Sequence, residues 1–363
     1  VQVFPPKKPE TNLAIIIRIS KIMTSLTFNQ NYLKIKTIDM HTGGEPLRIV
    51  MEGYPSFEGK GILKIRNELR DQHDHLRKAI MWEPRGHADM YGLLKVPAER
   101  PDSDFGVIFM HNEGYSTMCG HATIAIAKAA VILGWVKSTP PLTTIKIDAP
   151  CGQLTAYVKH QGDKIEQVSF ENVPSFLLGS YSVDLPKIGS IDYDLAYGGA
   201  FYAYLDIRQV GLTCDPKHYA EIIRLGKLIK QEVMANNAEI THPFEDDLSF
   251  LYGTIFIDKS DRDGVHSRNV CVFADGEVDR CATGSGVSGR AAIHYAKGEL
   301  GMQESITIES ILQTELQVEV LRTETYGDFE AIVPMVSGNA YFTGMQEFWV
   351  DPEDPLAGGF FLR

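Results

Sequence analysis

The chain is 363 residues long, about two domains at roughly 150 residues each, with 44% hydrophobic and 23% charged residues, an ordinary globular balance. Lys plus Arg number 35 against 47 Asp plus Glu, a formal charge of −12, which argues against a nucleic-acid or membrane-surface binder because both need basic footprints. Five scattered cysteines with no CxxC pair exclude a disulfide framework or zinc ribbon and fit a reducing, cytoplasmic setting; no run of ~20 apolar residues that could span a bilayer occurs.

Residues 1–30 read as an N-terminal extension, with Met23 a candidate start and Leu13–Ile17 too short for a signal-peptide core. Tyr32–Thr37 is a predicted strand, and Asp39-x-x-x-Gly43-Gly44 follows it. Ile62–Ala79 is a predicted amphipathic helix whose charges form a solvated face. His73-Asp74-His75, with His87 later, looks like a metal-ligand set. Alternating residues on a helix point in different directions, however, so no metal is expected there. Phe105–Met110 is a predicted strand. From Cys119 to Gly134 runs a Pro-free segment of small residues ending at a glycine suited to a helix C-cap. Ile145–Asp148 and Gln153–Val158 read as a hairpin, followed by a strand at Lys164–Phe170.

The same series then recurs. Asp194-x-x-x-Gly198-Gly199 leads into a predicted strand at Phe201–Leu205, a helix over Lys217–Ala235 and strands at Thr254–Ile257 and Asn269–Phe273. Thr283 opens a second small-residue segment that ends at Gly298, and Ile306–Glu309 with Glu315–Val320 forms the second hairpin. Four matching features in one order imply two related α+β halves, with the hinge near 185–195.

The two small-residue helices begin at Cys119 and Thr283, and a helix N-terminus offers unpaired N–H groups and about half a positive charge. Two such ends converging hold a carboxylate or phosphate without net basic charge. A thiol at such an end has its thiolate stabilised; the bland alternative for Cys119 is a small buried hydrophobe. His121 could be an acid, a ligand donor or a core residue, and a direct Cys119–His121 pair within one helix turn looks geometrically poor. Asp279 could receive a substrate ammonium or order its own loop as an Asx-turn. Gly284-Ser285-Gly286-Val287-Ser288-Gly289 fits GxGxxG, but Asp279-Arg280-Cys281-Ala282 rather than a buried strand precedes it, so a dinucleotide site is rejected. Cys151, Cys214 and Cys271 read as packing residues; Cys281 lies near the proposed site and stays open.

Met118-Cys119-Gly120-His121, Asp39-Met40-His41-Thr42-Gly43-Gly44-Glu45-Pro46, Glu83-Pro84-Arg85-Gly86-His87-Ala88-Asp89-Met90 and Asp279-Arg280-x-x-Thr283-Gly284-Ser285-Gly286 resemble proline racemase family signatures, over nearly all of 32–350. The resemblance implies a diaminopimelate epimerase-like α+β fold: two pseudo-symmetric halves, each a sheet wrapped round a central helix, with the site in the cleft. It implies a first half over 31–190, completed by 340–363, and a second over 191–339.

The family's racemases and epimerases set one cysteine on each face of the substrate α-carbon. The first maps onto Cys119 and the second onto Thr283, whose hydroxyl is too weak a base to take an α-proton. That pairing resembles the family's trans-3-hydroxy-L-proline dehydratases. It implies an imino-acid substrate, bound by Gly120, His121, Asp279, Gly284 and Ser285, with Cys119 and Thr283 the catalytic pair. A homodimer is implied, and no metal or organic cofactor. In trans-3-hydroxy-L-proline the hydroxyl shares a ring face with the α-hydrogen, so a syn elimination needs catalytic groups on one face only. The runner-up is a proline racemase or 4-hydroxyproline 2-epimerase that uses Cys281 or water on the second face. A non-catalytic binding protein is a third reading, which Cys119 argues against, and a cysteine hydrolase ranks last.

Overall fold

Small side chains decide what can occupy the centre of each half, because a sheet can close tightly only round a thin helix. The computed structural model describes residues 31–162, 164–236 and 240–362, so the extension expected over 1–30 lies outside the described residues. The first half runs β1 (Leu33–Thr42), β2 (Glu45–Glu52), α1 (Ile62–Gln72), α2 (Asp74–Met81), β3 (Gly92–Val96), β4 (Phe105–Met110), α3 (Gly120–Ile132), β5 (Leu142–Ala149), β6 (Gly152–Gln161) and β7 (Lys164–Glu171). The second runs β8 (Phe176–Leu185), β9 (Gly189–Tyr197), β10 (Phe201–Asp206), α4 (Tyr219–Asn236), β11 (Leu251–Asp258), β12 (Ser267–Phe273), β13 (Glu277–Val278), α5 (Gly284–Ala296), β14 (Ser305–Glu309), β15 (Glu315–Tyr326) and β16 (Phe329–Gly338). A last strand, β17 (Ala340–Val350), returns to pair with β1.

The two halves share one pairing scheme. In the first, β17–β1 and β1–β2 are antiparallel, β2–β3 parallel, β3–β4 antiparallel, β4–β5 parallel, and β5–β6 and β6–β7 antiparallel. In the second, β8–β9, β9–β10, β10–β11, β11–β12, β12–β14, β14–β15 and β15–β16 repeat those senses in that order. β16 also pairs with β7, which joins the halves in one sheet, and Ser175 just before β8 bridges to Ile332 on β16, which brings the edges of the second half together. Within the curls lie α3 and α5, buried along nearly their whole length. Their alanines and glycines suit this: a methyl added at Gly289, for example, would sit 2.1 Å from the Tyr204 hydroxyl.

Two expectations are corrected here. The changeover expected at 190–191 falls inside β9, whose neighbours β8 and β10 both belong to the second half, so the chain crosses between halves at residues 172–175. A hinge read from a repeated Asp-x-x-x-Gly-Gly cannot see this, because strand pairing is a long-range property. The helix expected over 62–79 is two helices broken at His73 (φ −127°, ψ 14°). Beyond the break, fully buried Arg77 pairs with Asp74 and donates to the carbonyls of His111 and Asn112. The hairpins expected at 145–158 and 306–320 are β5–β6 and β14–β15.

Candidate active site

The N-termini of α3 and α5 meet head to head. A methyl on Gly120 would lie 2.5 Å from the Gly284 Cα, and one on Gly284 would lie 2.6 Å from the Gly120 Cα. Only glycine at both positions allows that approach. The first N–H groups of each helix have no intrahelical acceptor, so two sets of donors and two positive dipole ends face the same small cavity. Met118, Cys119, Gly120 and His121 line it from one side, with Thr283, Gly284, Ser285 and Asp279 on the other. Tyr91, Tyr202, Tyr252 and Phe273 complete an aromatic wall. All seven residues singled out in the sequence therefore lie at this cavity.

Cys119 is the N-cap of α3, with extended backbone (φ −148°, ψ 111°), and its Sγ accepts from the Ala122 N–H at 3.4 Å. Because the cap residue lies outside the helix, its side chain swings back over the first turn and meets His121 Nδ1 at 3.1 Å. The poor geometry expected for a Cys119–His121 pair applies to two residues inside a helix, and Cys119 is not inside it. Burial holds the thiol well above its ordinary range, while the Ala122 N–H and the Tyr91 hydroxyl stabilise the thiolate and oppose it. Burial pulls His121 down to about 3, so the imidazole is neutral.

Thr283 caps α5 with φ +67° and ψ 98°, a left-handed conformation that is costly for a β-branched residue. Among the described residues its buried Oγ1 has no hydrogen-bond partner. A strained residue with a free hydroxyl lining a cavity is a functional signal. Cys281 does not line the cavity. Its sulfur accepts from the Thr283 N–H at 3.3 Å and its N–H donates to Asp279, so the thiol near the missing second cysteine belongs to the loop.

Asp279 orders its own loop and also lines the cavity. Its Oδ1 accepts from the Cys281 N–H at 2.8 Å, an Asx-turn, and its carboxylate also lines the cavity. Burial pushes it up to about 6, opposed by the Cys281 thiol and N–H and by the nearby Thr283 hydroxyl. Fully buried Glu45 accepts from the Arg280 N–H at 2.7 Å, and burial together with the nearby Asp279 charge pushes its carboxyl up. Arg280 is pinned in turn by Asp89 at 2.7 Å. The loop that carries Asp279 is thus held by two acids of the first half.

Asp39 and Asp194, prominent in the repeat, are structural: Asp39 pairs with buried Arg48, and Asp194 with Lys297. His121, Asp279 and Cys281 are the one grouping among the described residues with metal-ligand spacing, their ligand atoms within 4.8 Å of one another. Each of the three is engaged, His121 with Cys119 and Asp279 with Cys281. Tyr91, Tyr202, Tyr252 and Glu45 escaped the sequence reading. Tyr91 directly follows the Glu83–Met90 motif and Glu45 lies within another, so position beside a motif was the available signal.

The family model described as proline racemase matches residues 37–361. A trans-3-hydroxy-L-proline dehydratase from Colwellia psychrerythraea is 49% identical over 92% of this chain and 94% of its own. A 3-hydroxyproline 2-epimerase from Burkholderia multivorans is 43% identical over 91% of this chain and 98% of its own. Among solved structures, a hydroxyproline epimerase from Agrobacterium vitis with bound trans-4-hydroxy-L-proline superposes with a TM-score of 0.87 at 26% identity, covering 92% of this chain and 96% of that one.

Proposed function

This chain belongs to the proline racemase family, and from that premise we propose that it dehydrates trans-3-hydroxy-L-proline to Δ1-pyrroline-2-carboxylate and water, without a cofactor. One observation carries the choice of reaction: one face of the cavity has a thiol, Cys119, and the other has Thr283. Relatives with dehydratase and epimerase names stand at similar identity, so overall likeness does not separate the two activities. The groups on the two faces do.

The substrate carboxylate sits between the ends of α3 and α5, taking the N–H groups of Gly120, His121, Gly284 and Ser285. Asp279 takes the ring nitrogen, which needs the carboxylate ionised. The Cys119 thiolate removes the α-proton, and the negative charge that develops on the carboxylate is stabilised by the two helix ends, an oxyanion-type effect. The hydroxyl on the same face leaves as water, and the enamine tautomerises to the cyclic imine. Thr283 closes the opposite face and hydrogen-bonds the ligand without abstracting a proton. The thiolate is supported by the Ala122 N–H and the Tyr91 hydroxyl, which oppose the burial that disfavours it, with neutral His121 beside the sulfur at 3.1 Å. The enzyme works as a homodimer in a reducing, cytoplasmic compartment; its five free, buried thiols suit such a setting.

Incubating the chain with trans-3-hydroxy-L-proline is expected to yield the cyclic imine, and Cys119→Ala to abolish it. Unchanged product from that variant would refute Cys119 as the base. L-Proline in D2O is expected to give no deuterated D-proline; efficient inversion would replace this reading with the epimerase one. Sedimentation of the purified chain at twice the monomer mass is the result expected for the dimer.

A further inference from the structure

The proposed elimination leaves one chemical demand unmet: hydroxide is a poor leaving group and must be protonated as the C3–O bond breaks. Because the α-hydrogen and the hydroxyl share a ring face, the acid must stand on the Cys119 side of the cavity. Tyr202 does not, since its hydroxyl is bonded to Ser285 Oγ at 2.7 Å on the α5 side. His121 is neutral, a far weaker acid than an imidazolium, and its Nδ1 lies against the Cys119 sulfur at 3.1 Å. Tyr91 meets the demand. It is 2% exposed, immediately precedes β3, lines the cavity and packs edge-on against His121 with ring centroids 4.7 Å apart. Its hydroxyl hydrogen-bonds buried Ser116 Oγ, and Tyr91 and Cys119 line the same small cavity, where the hydroxyl favours the thiolate.

We propose that Tyr91 is the general acid of this reaction, protonating the departing hydroxyl and then recovering its proton from Cys119. This rests on the dehydratase reading above. The C2–H bond breaks and the proton passes to the Cys119 thiolate, making the thiol. The electron pair forms the C2=C3 bond as the C3–O bond breaks, and the leaving oxygen takes the Tyr91 proton to depart as water. The resulting phenolate, bonded to the Ser116 hydroxyl and sharing the cavity with the sulfur, takes the proton from the Cys119 thiol. Thiolate and phenol are both restored with no outside donor, because the proton taken from C2 ends on Tyr91 in place of the one that left with water. Burial holds the Tyr91 hydroxyl well above its ordinary range, so the group stays protonated at rest.

The test compares two leaving groups with Tyr91→Phe. On trans-3-hydroxy-L-proline the variant is expected to lose at least about 100-fold in kcat, within the usual contribution of a general acid. On trans-3-fluoro-L-proline, whose fluoride departs without a proton, its loss is expected to be at least about tenfold smaller, because only the support of the Cys119 thiolate is then missing. Equal losses on both substrates, or dehydration kept within about tenfold, overturns the assignment. If the variant does not fold, 3-fluorotyrosine at position 91 keeps the ring and hydroxyl but makes a stronger acid. The high-pH limb of dehydration should then move to lower pH while that of fluoride release stays; an unmoved limb overturns the assignment. An unmodified chain that dehydrates nothing overturns the proposed function and the acid together. A dehydrating chain whose Tyr91→Phe variant dehydrates equally well overturns the acid alone.

Discussion

Thr283 holds a conformation that costs of order 1–3 kcal/mol for a residue with a side chain, and does so at a cavity wall where its hydroxyl has no partner. The same position with a thiol would supply a base on the second face. Thr283→Cys, a change of similar volume, is expected to gain inversion at the α-carbon, read as deuterated D-proline formed from L-proline in D2O, and to lose selectivity for elimination. Asp279 sets the pH dependence. Its carboxyl, raised to about 6, is ionised only above that pH, and the substrate nitrogen needs the ionised form. kcat/KM should therefore fall about tenfold per unit below pH ~6, and Asp279→Asn should remove that limb while lowering kcat/KM at pH 8 by about 100-fold. The stability effect has the opposite sign. A carboxyl raised on folding ionises more readily in the unfolded chain, so it lowers stability as pH climbs from its unfolded value through ~6. Asp279→Asn should accordingly gain melting temperature relative to the unmodified chain at pH 8, and not at pH 4. Cys119 was legible as the reactive thiol from its place at a helix start. The direction of its shift was not, because burial outweighs the helix end and burial is set by both halves at once.

Helix starts were the most legible elements, since a cap residue, a glycine and a run of small residues are local signals. The strand expected at Phe105–Met110 has those bounds as β4, and both C-terminal glycines, Gly134 and Gly298, take positive φ. The break at His73 was hidden because the periodic pattern runs through it and a tertiary demand from Arg77 accompanies it. What couples the two helices is also invisible in sequence order: Gly120 and Gly284 touch across the halves. Gly120→Ala should force the two ends apart, destabilising the fold by about 1–3 kcal/mol as overpacking does. It should also lower kcat/KM by far more than that loss predicts for the folded fraction, because the carboxylate then loses one of its two donor sets. Thermal melts beside steady-state kinetics separate the two effects.

At the scale of the molecule, the chain builds one scheme twice and crosses its own ends. β17, the last strand, pairs with β1, and the Lys128 ammonium on α3 bonds the Ala340 carbonyl. The first half thus depends on residues the chain supplies last. Ending the chain at residue 339 should leave the β1 edge and the flank of α3 uncovered, and the product is expected to be insoluble or to lack a cooperative melt. A soluble, cooperatively melting product would show that the first half folds without that strand. The halves also lock at the site, where Glu45 and Asp89 hold the loop carrying Asp279.

The order of residues alone determined the twofold plan, the two small-residue helices, the cap positions Cys119 and Thr283 and the absence of a second aligned thiol. All of these rest on neighbours within a few turns of chain, where capping and side-chain size act directly. The tertiary structure decided where one half ends, that Cys119 meets His121, that Cys281 does not line the cavity, and that Tyr91 lines it beside Cys119. Those depend on contacts between segments far apart in sequence, and on burial, which no single segment possesses by itself.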